Sequence, residues 1–102
     1  MRTEVRNRLV MSKALVSARR EPSSSDRYAW VWVAPLGDGT FRVSTVEISK
    51  HIVDEDICFF EDDIERVHIG TFTDISEVDD LVRGLGVDPD ELDPPWKNDF
   101  PL

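Results

Sequence analysis

The sequence predicts an α+β fold: an antiparallel sheet of three to four strands with an N-terminal helix and a C-terminal helix packed on it. Three observations carry this. Apolar residues alternate on either side of Gly37-Asp38-Gly39, the pattern of a hairpin. Apolar residues recur at helical spacing over 75–85. Residues 1–20 are rich in Leu, Ala, Met, Arg and Lys and contain neither Gly nor Pro, which predicts a helix.

Along the first segment Val5 and Leu9 lie one turn apart, as do Met11, Leu15 and Ala18, giving a broad apolar stripe. An Arg-rich, acid-poor start also fits a transit peptide, whereas no apolar core of a secretory signal follows Met1. Residues 21–26 (Glu-Pro-Ser-Ser-Ser-Asp) read as a linker between this basic segment and an acidic body over 27–102. Residues 28–36 form the first predicted strand. Tyr28, Trp30 and Trp32 share one face, Ala29, Val31 and Val33 the other, so the strand is covered on both sides. Residues 41–49 form the second strand, the apolar run 57–60 a short third and residues 66–73 a fourth, with a charged turn over 61–65.

Ile75, Val78, Leu81, Val82 and Leu85 then line one face of a helix. Asp74 is its N-cap, Glu77 completes a capping box and Gly86 is its stop. Asp88-Pro89-Asp90-Glu91 repeats the start signal, and Pro94-Pro95 ends that turn before an extended tail over 96–102. Trp30 or Trp32, Val33, Val46, Phe59, Val78, Leu81 and Leu85 are the expected core.

A chain of 102 residues leaves room for a single domain. Residues 1–20 carry six basic groups against one acidic, and residues 21–102 six basic against twenty acidic, so a balance of +5 faces one of −14. Nucleic-acid affinity comes largely from Lys and Arg neutralising phosphates, so a body this acidic is expected to bind something basic, not nucleic acid. The longest run without a polar side chain, residues 29–36, is too short to span a bilayer. A single cysteine, Cys58, excludes an intramolecular disulfide and a Cys-based zinc site, and the reducing cytoplasm is the expected compartment.

Few residues suggest chemistry. His51 and His68 each lie near carboxylates, so an acid–base pair is conceivable for either. The competing reading leaves both chemically idle, and no nucleophile motif supports them. The clusters Asp54, Glu55, Asp56 and Glu61, Asp62, Asp63, Glu65 lack the spacing and central Gly of a calcium loop. They read either as solvated turns or as a docking face for a basic protein. No metal, cofactor or catalytic set is assigned. Gly37-Asp38-Gly39 is a turn and not a phosphate loop, because no Lys-Ser or Lys-Thr pair follows it. Trp30 and Trp32 suit base stacking in principle, but read as core on so acidic a body.

The helix over 75–85, the run Leu85-Gly86-Val87-Asp88-Pro89-Asp90-Glu91 and the closing Phe100-Pro101-Leu102 are similar to the ending of small acidic proteins encoded beside bacterial polymorphic toxins. The likeness covers residues 75–102 best and the hairpin 28–49 loosely. The basic N-terminal segment and Trp96-Lys97-Asn98 depart from it. It implies an immunity protein of a contact-dependent growth inhibition system: no enzyme, but a binder that neutralises a basic toxin domain, often a nuclease. On that reading the two acidic clusters are the first-choice docking residues, with Asp93, Trp96 and Asp99 second. A nucleic-acid mimic inhibiting a DNA- or RNA-processing enzyme would show the same acidity, and a small metal-dependent hydrolase would need a histidine converging with carboxylates.

Overall fold

The computed structural model describes residues 1–55 and 64–98. It is an α+β fold built on one four-stranded antiparallel sheet: β1 (Val16–Arg20), β2 (Arg27–Pro35), β3 (Phe41–Ser49) and β4 (Ile64–Phe72), in that order across the sheet. Helix α1 (Thr3–Val10) precedes β1, the short α2 (Lys50–Asp54) follows β3, and α3 (Ile75–Gly84) follows β4. Two 3-10 turns, Pro89–Glu91 and Pro95–Asn98, complete the described chain.

The alternation along β2 decides the layering. Val31 and Val33 point to one face and join Val16, Ala18 and Val43 beneath Val5 and Leu9 of α1 and Val78 and Val82 of α3. Trp30 points to the opposite face with Val46 and Ile48, covered in part by Ile52 and Val53 of α2. Of the two candidate tryptophans, Trp30 is fully buried and Trp32 half-buried. Val33, Val46 and Val78 are buried as expected, and Leu81 and Leu85 pack half-buried against the helical side of the core. Phe59 and the short strand expected over 57–60 lie outside the described residues.

The single helix expected over 1–20 does not form. α1 stops at Val10, Lys13 takes a left-handed φ of 51°, and residues 16–20 become a strand. Val16, Ala18 and Arg20 pair with Val33, Val31 and Ala29, so pairing and burial of Val16 and Ala18 outweigh helix propensity. The expected charged turn over 61–65 also gives way at its end, because Ile64 and Glu65 already belong to β4, opposite Ile48 and Glu47. Residues 50–54 form a helix that the sequence did not signal, and Pro95–Asn98 is a 3-10 turn where an extended tail was expected.

Local signals hold where the turn chemistry is strong. Asp38 accepts bonds from the Thr40 amide (3.1 Å) and hydroxyl (2.5 Å), and Gly39 takes the positive φ (85°) that closes the β2–β3 hairpin. Those bonds hold the Asp38 carboxyl below its usual value, the hydroxyl contributing most. Asp74 caps α3 through the Ser76 amide (3.0 Å), and Gly86 follows the helix at a φ of 85°.

The last described residues strap the sheet. Asp93 and Ser17 exchange backbone bonds of 2.9 Å, extending β1 by one isolated pair. The Ser17 hydroxyl donates to Asn98 Oδ1 (2.7 Å), Asn98 Nδ2 donates to the Ser17 carbonyl (2.6 Å), and Trp30 Nε1 donates to the Asn98 carbonyl (2.9 Å). Leu92 is fully buried in the helical-side core.

Two expectations follow for stability. Leu92→Ala should cost about 2–5 kcal/mol by leaving a cavity. Asn98→Ala should cost about 1–3 kcal/mol, because Ser17 loses two partners in a buried setting. Urea midpoints at unchanged m-value measure both. For Asp38 the folded pKa is depressed, so its contribution is present above the unfolded carboxylate range and lost as pH falls through the folded value; Asp38→Ala should flatten the acid limb of the stability–pH curve.

Candidate functional site

Two charged surfaces stand out. The first comprises α3 and the Pro89–Glu91 turn. Residues 74–93 hold eight carboxylates against one cation, Arg83. Asp74, Glu77, Asp80, Asp88, Asp90 and Glu91 are exposed. Capping does not consume this charge: Asp74 and Asp88 each turn one oxygen to an amide, from Ser76 (3.0 Å) and Asp90 (2.9 Å), and both side chains stay in solvent. The Met1 amine is held between Asp79 (3.0 Å) and Asp90 (3.3 Å), and Arg2 pairs with Asp93, which tethers α1 to this surface. Arg83 reaches Asp80 at 3.2 Å.

Beside these acids the chain leaves a groove of about 450 Å³ between the end of α3 and the following 3-10 turn. Arg83, Gly86, Val87, Asp88 and Pro89 line it. Val87 and Pro89 supply its apolar floor, both being buried.

The second surface is cationic and aromatic. The Arg19 guanidinium lies over Tyr28 (4.8 Å) and Trp30 (5.4 Å), Arg66 over Trp32 (4.8 Å), and the Lys50 ammonium over Tyr28 (5.4 Å). These residues come from β1, β2, β4 and α2, so no sequence window shows them together. The aromatic pair read from sequence as core therefore has two fates: Trp30 is core, while Trp32 forms a half-buried shelf beneath an arginine.

The first-choice docking residues are engaged within the chain. Asp54 accepts from the Tyr28 hydroxyl (2.7 Å), Glu55 pairs with His51 Nδ1 (2.8 Å), and Glu65 pairs with Arg27. Asp56, Glu61, Asp62 and Asp63 lie outside the described residues. Of the second-choice set, Asp93 is half-buried against Arg2 and Ser17, Trp96 is 61% exposed with Arg8 4.7 Å above its ring, and Asp99 lies outside the described residues. The acids of 74–93 were legible only as caps. Their density, eight in twenty residues, was the signal that caps alone do not explain.

The histidines are not brought to a common pocket. His51 faces Glu55 one helical turn on, and His68 Nε2 lies 3.2 Å from the Thr71 hydroxyl on β4. Among the described residues no group of three or more His, Cys, Asp or Glu side chains is placed to hold a metal ion. No described helix is long and apolar enough to cross a membrane. Comparison with known protein families, curated proteins and solved structures finds no match to this chain.

The Tyr28–Asp54 bond gives a direct test of how α2 is seated. Donation to Asp54, with partial desolvation and the carboxylate's charge, raises the Tyr28 pKa above its usual value of 10.0. The stabilisation is therefore present below that value and lost as pH rises through the raised folded one. Tyr28 is the only tyrosine, so tyrosinate absorbance reports it alone. Asp54→Ala should move the midpoint back toward 10.0; an unmoved midpoint would show that the bond does not form.

Proposed function

We propose that this chain is an immunity-type binding protein that neutralises a basic toxin domain, a nuclease, by laying a carboxylate-rich surface against the cleft that accepts phosphates. The observation that carries the reading is the acidic surface of α3 and the turn after it, six exposed carboxylates within a stretch whose own one cation, Arg83, is paired to Asp80. The docking residues we assign are exposed acids of α3 and the turn after it, Asp74, Glu77, Asp80, Asp90 and Glu91, chosen for their density and exposure although Asp80 also meets Arg83 and Asp90 the Met1 amine.

The physics favours an inhibitor that wins on rate. Opposite fields on partner surfaces raise association from roughly 10⁵–10⁶ M⁻¹s⁻¹ to about 10⁸–10⁹ M⁻¹s⁻¹ at low salt. A toxin acting on nucleic acid must be met before it cuts. Carboxylates already fixed by α3 and its caps meet a cationic cleft with little ordering left to do.

The test pairs this chain with the product of the adjacent gene, which the reading requires to be a toxin. Co-expression should restore growth, and the purified pair should form a complex that lacks toxin activity. Neutralising Glu77, Asp80, Asp90 and Glu91 to Gln or Asn should slow association about tenfold or more at low salt and flatten its salt dependence while leaving the fold intact. His51→Ala with His68→Ala should leave protection unchanged. Unchanged association in the neutralised variant moves the interface elsewhere, and failure of the wild-type chain to restore growth removes the immunity reading.

A further inference from the structure

The groove at the end of α3 and the exposed tryptophan seven residues beyond Pro89 have complementary form. Trp96 projects from the Pro95–Asn98 turn with most of its ring in solvent, and Arg8 stacks on it at 4.7 Å. Lys97, next to it in the chain, is exposed. The projection is therefore an apolar knob set among cations. The groove has the opposite character: an apolar floor from Val87 and Pro89, a left-handed Gly86 that presents no side chain, and a rim carrying Asp88 with Asp90 and Glu91 beyond it. Its volume of about 450 Å³ accommodates an indole.

We propose that Trp96 docks into the Gly86–Pro89 groove of a second copy of this chain, and that the two copies form a two-fold dimer in which the contact is made twice. This inference does not rest on the immunity reading. Three features of the chain select a second copy as the occupant. The knob is cationic where the groove rim is anionic, although the chain as a whole is acidic. An aromatic anchor in a matching depression, ringed by charge, is the arrangement that concentrates binding energy in an interface. Finally, only Leu92, Asp93 and Pro94 separate the two 3-10 turns, so knob and groove lie within roughly 25 Å along the chain. Two sites that close together can be satisfied reciprocally across a two-fold axis, and that arrangement, unlike a head-to-tail one, is self-complementary and closed. Within one subunit Trp96 cannot fill its own groove, because Asp93 is fixed to Ser17 and Asn98 to Ser17 and Trp30, which hold the knob against β1.

Arg83 adds a second contact. It stands on the groove wall, and its guanidinium can leave the exposed Asp80 pairing to stack on an incoming indole. Asp90 and Glu91, just beyond the groove rim, belong to the proposed toxin-docking surface, so the dimer and a toxin complex compete for the same region.

Sedimentation velocity of the full chain tests this without any partner, at about 0.15 M salt, where net repulsion between two acidic copies is screened beyond about 8 Å while contacts at the interface persist. The weight-average mass should rise toward twice the monomer value as concentration increases over about two decades. Trp96→Ala should weaken dimerisation at least tenfold with an unchanged circular-dichroism spectrum. Asp88→Lys should do the same by reversing the rim charge; Asp88→Asn keeps the cap on Asp90 and should give a smaller loss, which separates charge from folding. Mixing Trp96→Ala with Asp88→Lys should give less association than wild type but more than either variant alone, because one intact knob still meets one intact groove. A monomer at every concentration overturns the proposal, as does a dimer indifferent to both substitutions or growth beyond a dimer. Trp96-dependent binding to phosphatidylserine vesicles without self-association overturns it too, by assigning the knob to a membrane surface.

Discussion

Tyr28 to Val33 offer no polar side chain to solvent on either side of β2 except the Tyr28 hydroxyl, and that constraint organises the molecule. A strand apolar on both faces must be flanked by strands and covered by two layers. β1 and β3 supply the flanks. α1 and α3 roof the valine face, where Val31 and Val33 are fully buried, and α2 with the Pro95–Asn98 turn shields much of the tryptophan face. The two layers differ in chemistry. One is aliphatic and dry. The other is built from indole and phenol rings whose edges and faces take guanidinium and ammonium groups, which lets charged residues of β1 and β4 cover the sheet without leaving water.

The same division sets the electrostatics. Acidic α3 lies on the aliphatic side and the Arg-bearing aromatic rows on the other, so a chain of net charge −9 is strongly polarised. The N-terminal segment spans the difference: Met1 and Arg2 answer acids of the α3 side, and Arg8 answers Trp96. The basic first residues are thus not a tail: α1 and the residues before it act as a brace, with Met1, Arg2 and Arg8 each placed against a particular partner.

Much of this was legible in the sequence where short-range chemistry decides. Gly37-Asp38-Gly39 fixed the hairpin, Asp74 with its helical apolar spacing gave α3, and alternation on both faces of residues 28–33 gave a strand covered twice. Residues 16–20 were not legible as a strand, because Val-Ser-Ala-Arg-Arg carries a period of two for only three residues and is flanked by good helix formers; its identity comes from pairing with residues 29–33. α2 is five residues long, too short to show a period. The candidate site was legible in kind but not in place. Acid density near 54–65 drew the eye, yet Tyr28 and Arg27, the partners that occupy Asp54 and Glu65, are separated from them in sequence by 26 and 38 positions.

The strap that ties residues 93 and 98 to Ser17 has a consequence for how the protein is made. Ser17 and Asn98 are 81 positions apart, so the edge of β1 and the Trp30 indole N–H have no strap partner until synthesis has passed residue 98. A contact of that separation carries the entropy of closing a very long loop and is reached late. The nascent sheet therefore passes through an interval with an open strand edge, the kind of edge that recruits other chains. The hazard therefore lies in the interval between the pairing of β1 with β2 and the closing of the strap.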